Sequence, residues 1–91
     1  MADCQITCIN LSHTNGRNEH ITHVGNRAWG RRYTVAEVVS FIRNNTNTFY
    51  VLDANGNRAN VGVVDATPPY IRTYADGEWD NNLLSLTACP V

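Results

Sequence analysis

Thr34-Val35-Ala36-Glu37-Val38-Val39-Ser40-Phe41-Ile42 is the stretch whose reading decides the fold. A threonine followed three residues later by a glutamate is a capping box. The hydroxyl accepts from the third helical amide, and the carboxylate accepts from the threonine amide. Val35, Val38, Val39 and Ile42 recur at helical spacing with Phe41 beside them, which makes one face apolar. The pattern predicts one amphipathic helix of about 10 or 11 residues. It should stop near Asn44-Asn45, where asparagines favour a turn.

Either side of this helix the apolar pattern changes to strand type. Upstream, Cys4, Ile6 and Cys8 alternate on one face of a strand over residues 4–11, with Ile9 and Leu11 on the other. Residues 12–19 are polar and contain the turn pair Asn15-Gly16; a second strand, His20-Ile21-Thr22-His23-Val24, follows. These two strands are expected to pair as a hairpin, and residues 25–33 read as irregular. Downstream, Phe49-Tyr50-Val51-Leu52 and residues 58–64 flank Asn55-Gly56, a strong hairpin signal. Ala59, Val61 and Val63 share one face of the returning strand, and Gly62 lies on the other. Pro68-Pro69 precedes a last strand, Tyr70-Ile71-Arg72-Thr73-Tyr74, and the remaining tail turns apolar at Leu83, Leu84 and Leu86. The expectation is a single α+β domain over residues 1–91, in the order β-β-α-β-β-β. One helix would cover one face of a mostly antiparallel sheet of about five strands.

Composition narrows the function classes. The apolar fraction of 43% and the formal charge of −1 suit a packed chain rather than a disordered one. All seven basic residues are arginine, the residue suited to bidentate contacts with carboxylate or phosphate. A pI near 6.2 lacks the basic excess of a nucleic-acid binder, so extended DNA or RNA is not expected as a partner. No apolar run approaches the roughly 18 residues that span a bilayer. The first residues also lack the basic and then apolar segments of a secretory signal. The expected location is the cytoplasm, with no membrane partner.

Cys4, Cys8 and Cys89 are the three cysteines. Residues four apart on a strand lie about 13 Å apart, beyond the Cα separation of about 7 Å that a disulfide allows. Cys4 and Cys8 therefore cannot pair with each other while that strand holds. One of them could reach Cys89, but in a reducing compartment three buried thiols are the expectation.

The order Ile6-Thr7-Cys8-Ile9-Asn10, His20-Ile21-Thr22-His23-Val24-Gly25, a tryptophan, and then Thr34 opening a helix resembles one small bacterial family. The run Tyr70-Ile71-Arg72-Thr73-Tyr74-Ala75-Asp76-Gly77, Asp80-Asn81-Asn82-Leu83-Leu84-Ser85-Leu86 and Cys89-Pro90 carries the likeness further. It is similar to domain of unknown function 3892 over nearly the whole chain. The family pattern has proline where this chain has Thr87, and a shorter link after the helix. The resemblance implies a fold-sized unit and no particular activity.

Candidate chemistry is sparse. His20 and His23 on one strand would point to opposite faces and could not share a metal; no C-x-x-C pair is present, and no metal site or cofactor is expected. A cysteine nucleophile needs a depressed pKa and a neighbouring base, and an apolar strand supplies neither to Cys8. Asp76, Glu78 and Asp80 cluster without the loop length or glutamate of an EF-hand.

The best candidate site is the segment 72–82 with Tyr70 before it. Arg72, Asp76 and Asn82 would place donors and acceptors at one end of the sheet. The structural alternative stands beside this: Asp76 capping a turn, Asn82 satisfying amides, Arg72 pairing with Asp76, and the leucines closing the fold. A second candidate is the loop holding Trp29, Arg31 and Arg32, where guanidinium groups beside an aromatic could clamp a planar anion. There too the tryptophan could instead cover a core edge. His20 is given a structural or pocket role. Trp79 in the acidic loop suits a protein or self-association surface.

The expected function is a non-enzymatic domain that binds a small anionic ligand such as a nucleotide, as a homo-oligomer. Phage proteins of this size that sequester signalling nucleotides offer an analogy. The alternatives are a protein-interaction module centred on Trp79 and, third, a hydrolase.

Overall fold

The computed structural model describes residues 2–13, 16–53, 55–75, 78–80 and 82–89, and of Arg27, Ala75, Glu78, Trp79, Asp80 and Asn82 the backbone alone. The capping box forms as the sequence requires. The Thr34 hydroxyl accepts from the Glu37 amide at 3.1 Å, and the Glu37 carboxylate accepts from the Thr34 amide at 3.0 Å. Helix α1 runs Val35–Arg43 with Asn44 as its C-cap. Asn45 then adopts φ 55, a left-handed conformation that asparagine tolerates better than most residues. Val38 and Val39 are buried, and Val35, Phe41 and Ile42 pack half-buried against the core.

The strands depart from the single sheet expected. They are β1 (Ala2–Gln5), β2 (Cys8–Leu11), β3 (Ile21–Asn26), β4 (Arg31–Thr34), β5 (Asn47–Leu52), β6 (Arg58–Val64), β7 (Tyr70–Ala75), β8 (Glu78–Asp80) and β9 (Thr87–Ala88). Two mixed sheets form: β1-β5-β6-β7-β8 and β4-β3-β2-β9. The α+β class holds; the one five-stranded sheet does not.

The reason lies in the first strand. The Ile6 amide donates to Tyr50 at 2.8 Å and the next amide, Thr7, donates to Gly25 at 2.9 Å. Adjacent residues thus bond to different sheets, and one extended segment serves both as β1 and β2. β1 lies parallel to β5, a pairing between distant segments, whereas β2 pairs antiparallel with β3 as expected.

Three further differences lie in the segments beside the strands. Residues 31–33, expected to be irregular, form β4 together with the N-cap Thr34 because they pair with β3, Val24 opposite Tyr33. The strand after the first loop begins at Ile21, since His20 closes a 3-10 turn, Asn18–His20. The tail is not a plain loop: β8 pairs with β7, a 3-10 turn spans Asn82–Ser85, and β9 joins β2 in parallel. Leu83 is fully buried, with Leu84 and Leu86 packed on the core.

The β5–β6 hairpin forms with Leu52 opposite Arg58. Asp53 Oδ1 accepts from the amides of Asn55 and Asn57, both at 2.8 Å, and Gly56 supplies the positive φ of 82. Ile6, Ile9, Val24, Val38, Phe49, Val51, Val61, Ile71 and Leu83 make one continuous core between the sheets and α1.

The expectation of three free thiols is overturned. Cys8 and Cys89 form a disulfide, and Cys4 is a half-buried thiol. Parallel pairing sets Thr87 and Ala88 beside Cys8 and Ile9, which carries Cys89 back to the start of β2. Gly25 sits opposite Cys8. A Cβ at position 25 would lie 3.2 Å from both sulfurs, so the missing side chain makes room for the bond. No helix among the described residues is long and apolar enough to cross a membrane.

Three carboxyls are held below their ordinary range. Hydrogen bonds from Arg58 and then Thr48 lower Asp3, and the Thr34 amide lowers Glu37. The Asn57 amide leads the causes for Asp53. A carboxyl with a lower pKa in the folded chain contributes stability that is complete above its unfolded value of about 4 and is lost as pH falls through the folded value. The urea midpoint should therefore drop as the pH falls below about 4, and Asp3→Asn should flatten that drop. An unchanged acid limb in the Asp3→Asn variant would count against the Asp3–Arg58 contribution.

Candidate functional site

The 3.6-residue period places Val35, Val39 and Arg43 on one stripe of α1. That stripe, with Ala36, Ser40 and Asn44, forms one wall of a cleft of about 1350 Å³. The opposite wall comes from residues 66–69 and the start of β7, where Tyr70 and Arg72 line the space. Arg17, Asn18 and Glu19 close one side, and Ile21 and Leu84 add apolar surface. The Thr67-Pro68 peptide in this wall is cis.

Three guanidinium groups reach the cleft from distant parts of the chain. Arg17 precedes the 3-10 turn and is exposed; its backbone amide donates to His20 Nδ1 at 2.9 Å, which fixes the turn. Arg43 closes the helix and meets Asp65 at 3.2 Å across a pair whose acid side chain is 94% exposed. So exposed a pair is worth about 0–1 kcal/mol, and an incoming anion can compete for the guanidinium. Arg72 stands half-buried on β7 and has partners within the protein. Glu19 is the acid among the lining residues. Guanidinium groups beside an apolar floor can hold an anion by charge-assisted bonds while a flat or aliphatic body packs on Val35, Val39 and the prolines.

The residues expected from the sequence divide. Tyr70 and Arg72 line the cleft. Asp76 lies outside the described residues, as does the side chain of Asn82. Trp29, Arg31 and Arg32 do not line the cleft; they are engaged elsewhere. Trp29 packs against Tyr33 at 5.4 Å and Phe49 at 6.3 Å, covering a core edge. Arg31 lies 3.5 Å from Glu37 and 4.6 Å over the Tyr33 ring. Arg32 donates to Asn10 Oδ1 at 2.8 Å. His20 acts through the Arg17 turn, with the His13 ring tilted against it at 4.5 Å between centroids.

Arg17 and Arg43 were not singled out by sequence reasoning. The valine-valine-arginine stripe at four-residue intervals was a readable signal for Arg43. Nothing local marks Arg17, whose place depends on how the 3-10 turn docks against β7.

Burial, with Asp3 adding, pushes the Cys4 thiol up, which disfavours a thiolate. No group of three metal-ligating side chains converges among the described residues. The β7–β8 hairpin places Trp79 across from Tyr74, which is 43% exposed.

No curated protein and no solved structure matches the chain. One family profile does, described as Protein of unknown function (DUF3892), over residues 5–87. That span takes in strands β2 to β8, the helix and the cleft, with Gln5 of β1 and Thr87 of β9 at its ends, and the chain belongs to the DUF3892 family.

Proposed function

We propose that this chain is a non-enzymatic binding domain whose cleft takes a small anionic molecule, with nucleotides the leading ligand class. The observation that carries the reading is the convergence of Arg17, Arg43 and Arg72 on one apolar-floored cleft. A nucleotide combines the two features such a site recognises: phosphate for the guanidinium groups and a planar base for the apolar wall. Self-association belongs to the same proposal, because a cleft this open leaves much of a bound nucleotide uncovered unless a second copy closes over it.

Thermal-shift and calorimetric titration at low salt with ADP, ADP-ribose, cyclic dinucleotides and tripolyphosphate tests it. A ligand at a hundred times its Kd stabilises by about 2.7 kcal/mol, a rise of several degrees in Tm for a domain of this size. Arg17→Ala should weaken binding by at least about tenfold, the scale of one lost charge-assisted hydrogen bond. No shift with any of these compounds at millimolar concentration removes the proposal.

A second reading, a protein-interaction module at the β7–β8 hairpin, is favoured by exposed Tyr74 opposite Trp79. Pull-downs with the wild type and Trp79→Ala, set beside nucleotide titrations of the same two proteins, separate the two: loss of capture with nucleotide affinity kept supports the interaction module.

A further inference from the structure

We propose that the Cys8–Cys89 disulfide is a redox latch on the cleft, opened by a dithiol reductant and closed by oxidation. The inference rests on the cleft reading above and concerns regulation of the same site. Its first support is how residues 82–89 are held. Leu83 anchors the segment in the core at one end and the disulfide anchors it at the other. Between them β9 contributes two ladder positions, and both of its residues are exposed. At the disulfide end the Cys89 amide donates to Ile9 at 3.0 Å, and Asn10 Nδ2 donates to the Cys89 carbonyl at 3.1 Å. Leu86 packs half-buried on the core, and beyond it a two-residue edge strand is weakly held, so the covalent bond is the chief fastening at the Cys89 end.

The second support is where the segment leads. Leu84, one residue past the buried anchor, lines the cleft. Releasing Cys89 frees β9 and lets the turn Asn82–Ser85 shift about Leu83, which alters that wall. The third is access. Cys8 and Cys89 are 8% and 3% exposed, with Gly25 packed over the sulfurs and the Arg32 side chain beside it. A reductant meets them when β9 frays from the sheet edge, so opening the bond and loosening the segment are one event.

The chemistry balances. A thiolate of the dithiol attacks one sulfur, the S–S bond breaks, and the departing thiolate takes a proton. The second thiol of the reductant then resolves the mixed disulfide. Two electrons and two protons pass to the protein, giving two Cys thiols, and the reductant leaves as a cyclic disulfide. In a reducing compartment, where the sequence expectation puts the chain, the bond forms on oxidation and so reports a redox change.

Amide hydrogen exchange and ADP calorimetry on the full chain, oxidised and held in dithiothreitol, test the latch. Cys89→Ala serves as a second route to the open form. Opening should speed exchange in residues 82–89 by at least about tenfold more than in α1, β5 and β6, whose protection falls only as far as the global stability does. ADP binding should weaken by at least about fivefold. Unchanged exchange in 82–89 overturns the proposal, as does an equal loss of protection throughout the chain, which would make the bond a global staple and nothing more. Faster exchange with unchanged ADP affinity also overturns it. If the oxidised protein binds no ADP, the cleft reading fails and the regulation fails with it; the exchange pattern still reports whether the segment is released.

Discussion

Phe49→Ala should lower the free energy of unfolding by about 3–5 kcal/mol, the usual cost of emptying a buried aromatic site. Phe49 is 1% exposed and sits on β5 between β1 and β6. Its ring meets Phe41 of α1 at 6.3 Å and Trp29 at 6.3 Å, and Trp29 in turn leans on Tyr33 of β4. One side chain therefore joins its sheet to the helix and, through Trp29, to the second sheet. A small domain holds roughly 0.05–0.15 kcal/mol per residue, so this loss takes a large share of the total. Urea unfolding followed by tryptophan fluorescence measures it. Leu52→Ala, at a side chain 38% exposed, should stay within about 0.5 kcal/mol. Equal losses in the two variants would contradict this description of the core.

Reduction of the disulfide has an effect of similar size. The bond closes a loop with a sequence separation of 81. Chain entropy alone assigns about 4.5 kcal/mol to a loop of that length, through restriction of the unfolded chain. The guanidinium midpoint should fall markedly in dithiothreitol. Thiol counting of the oxidised, denatured protein should find Cys4 and no other reactive thiol. Three reactive thiols, or a midpoint indifferent to reductant, would show that Cys8 and Cys89 are not joined in solution.

Local signals were legible in the sequence, and long-range pairings were not. The helix followed from Thr34, Glu37 and the valine spacing, and the β5–β6 hairpin from Asn55-Gly56, because their determinants lie within a few residues of one another. The split into two sheets depends on Ile6 bonding to Tyr50, a partner far along the chain that no local pattern announces, while Thr7 stays with Gly25 at the end of the expected hairpin. The same holds for the disulfide. Cys89 reaches Cys8 through a two-residue parallel strand too short to read as one.

The candidate site divides along the same line. Tyr70 and Arg72 were visible as polar and aromatic positions on a strand. Trp29, Arg31 and Arg32 looked like a clamp because composition marks guanidinium groups and rings without showing that Glu37, Asn10 and the aromatic cluster engage them. Arg17 and Arg43 became candidates once packing brought the 3-10 turn and the end of α1 to one cleft.

An amide-resolved NMR titration of the oxidised protein with ADP addresses the cleft most directly. Saturable shift changes should cluster at residues 17–19, along the Val35–Arg43 stripe, and over 66–72. Changes confined to residues 29–33 or to the Tyr74–Trp79 hairpin, or no saturable change at all, would contradict the account.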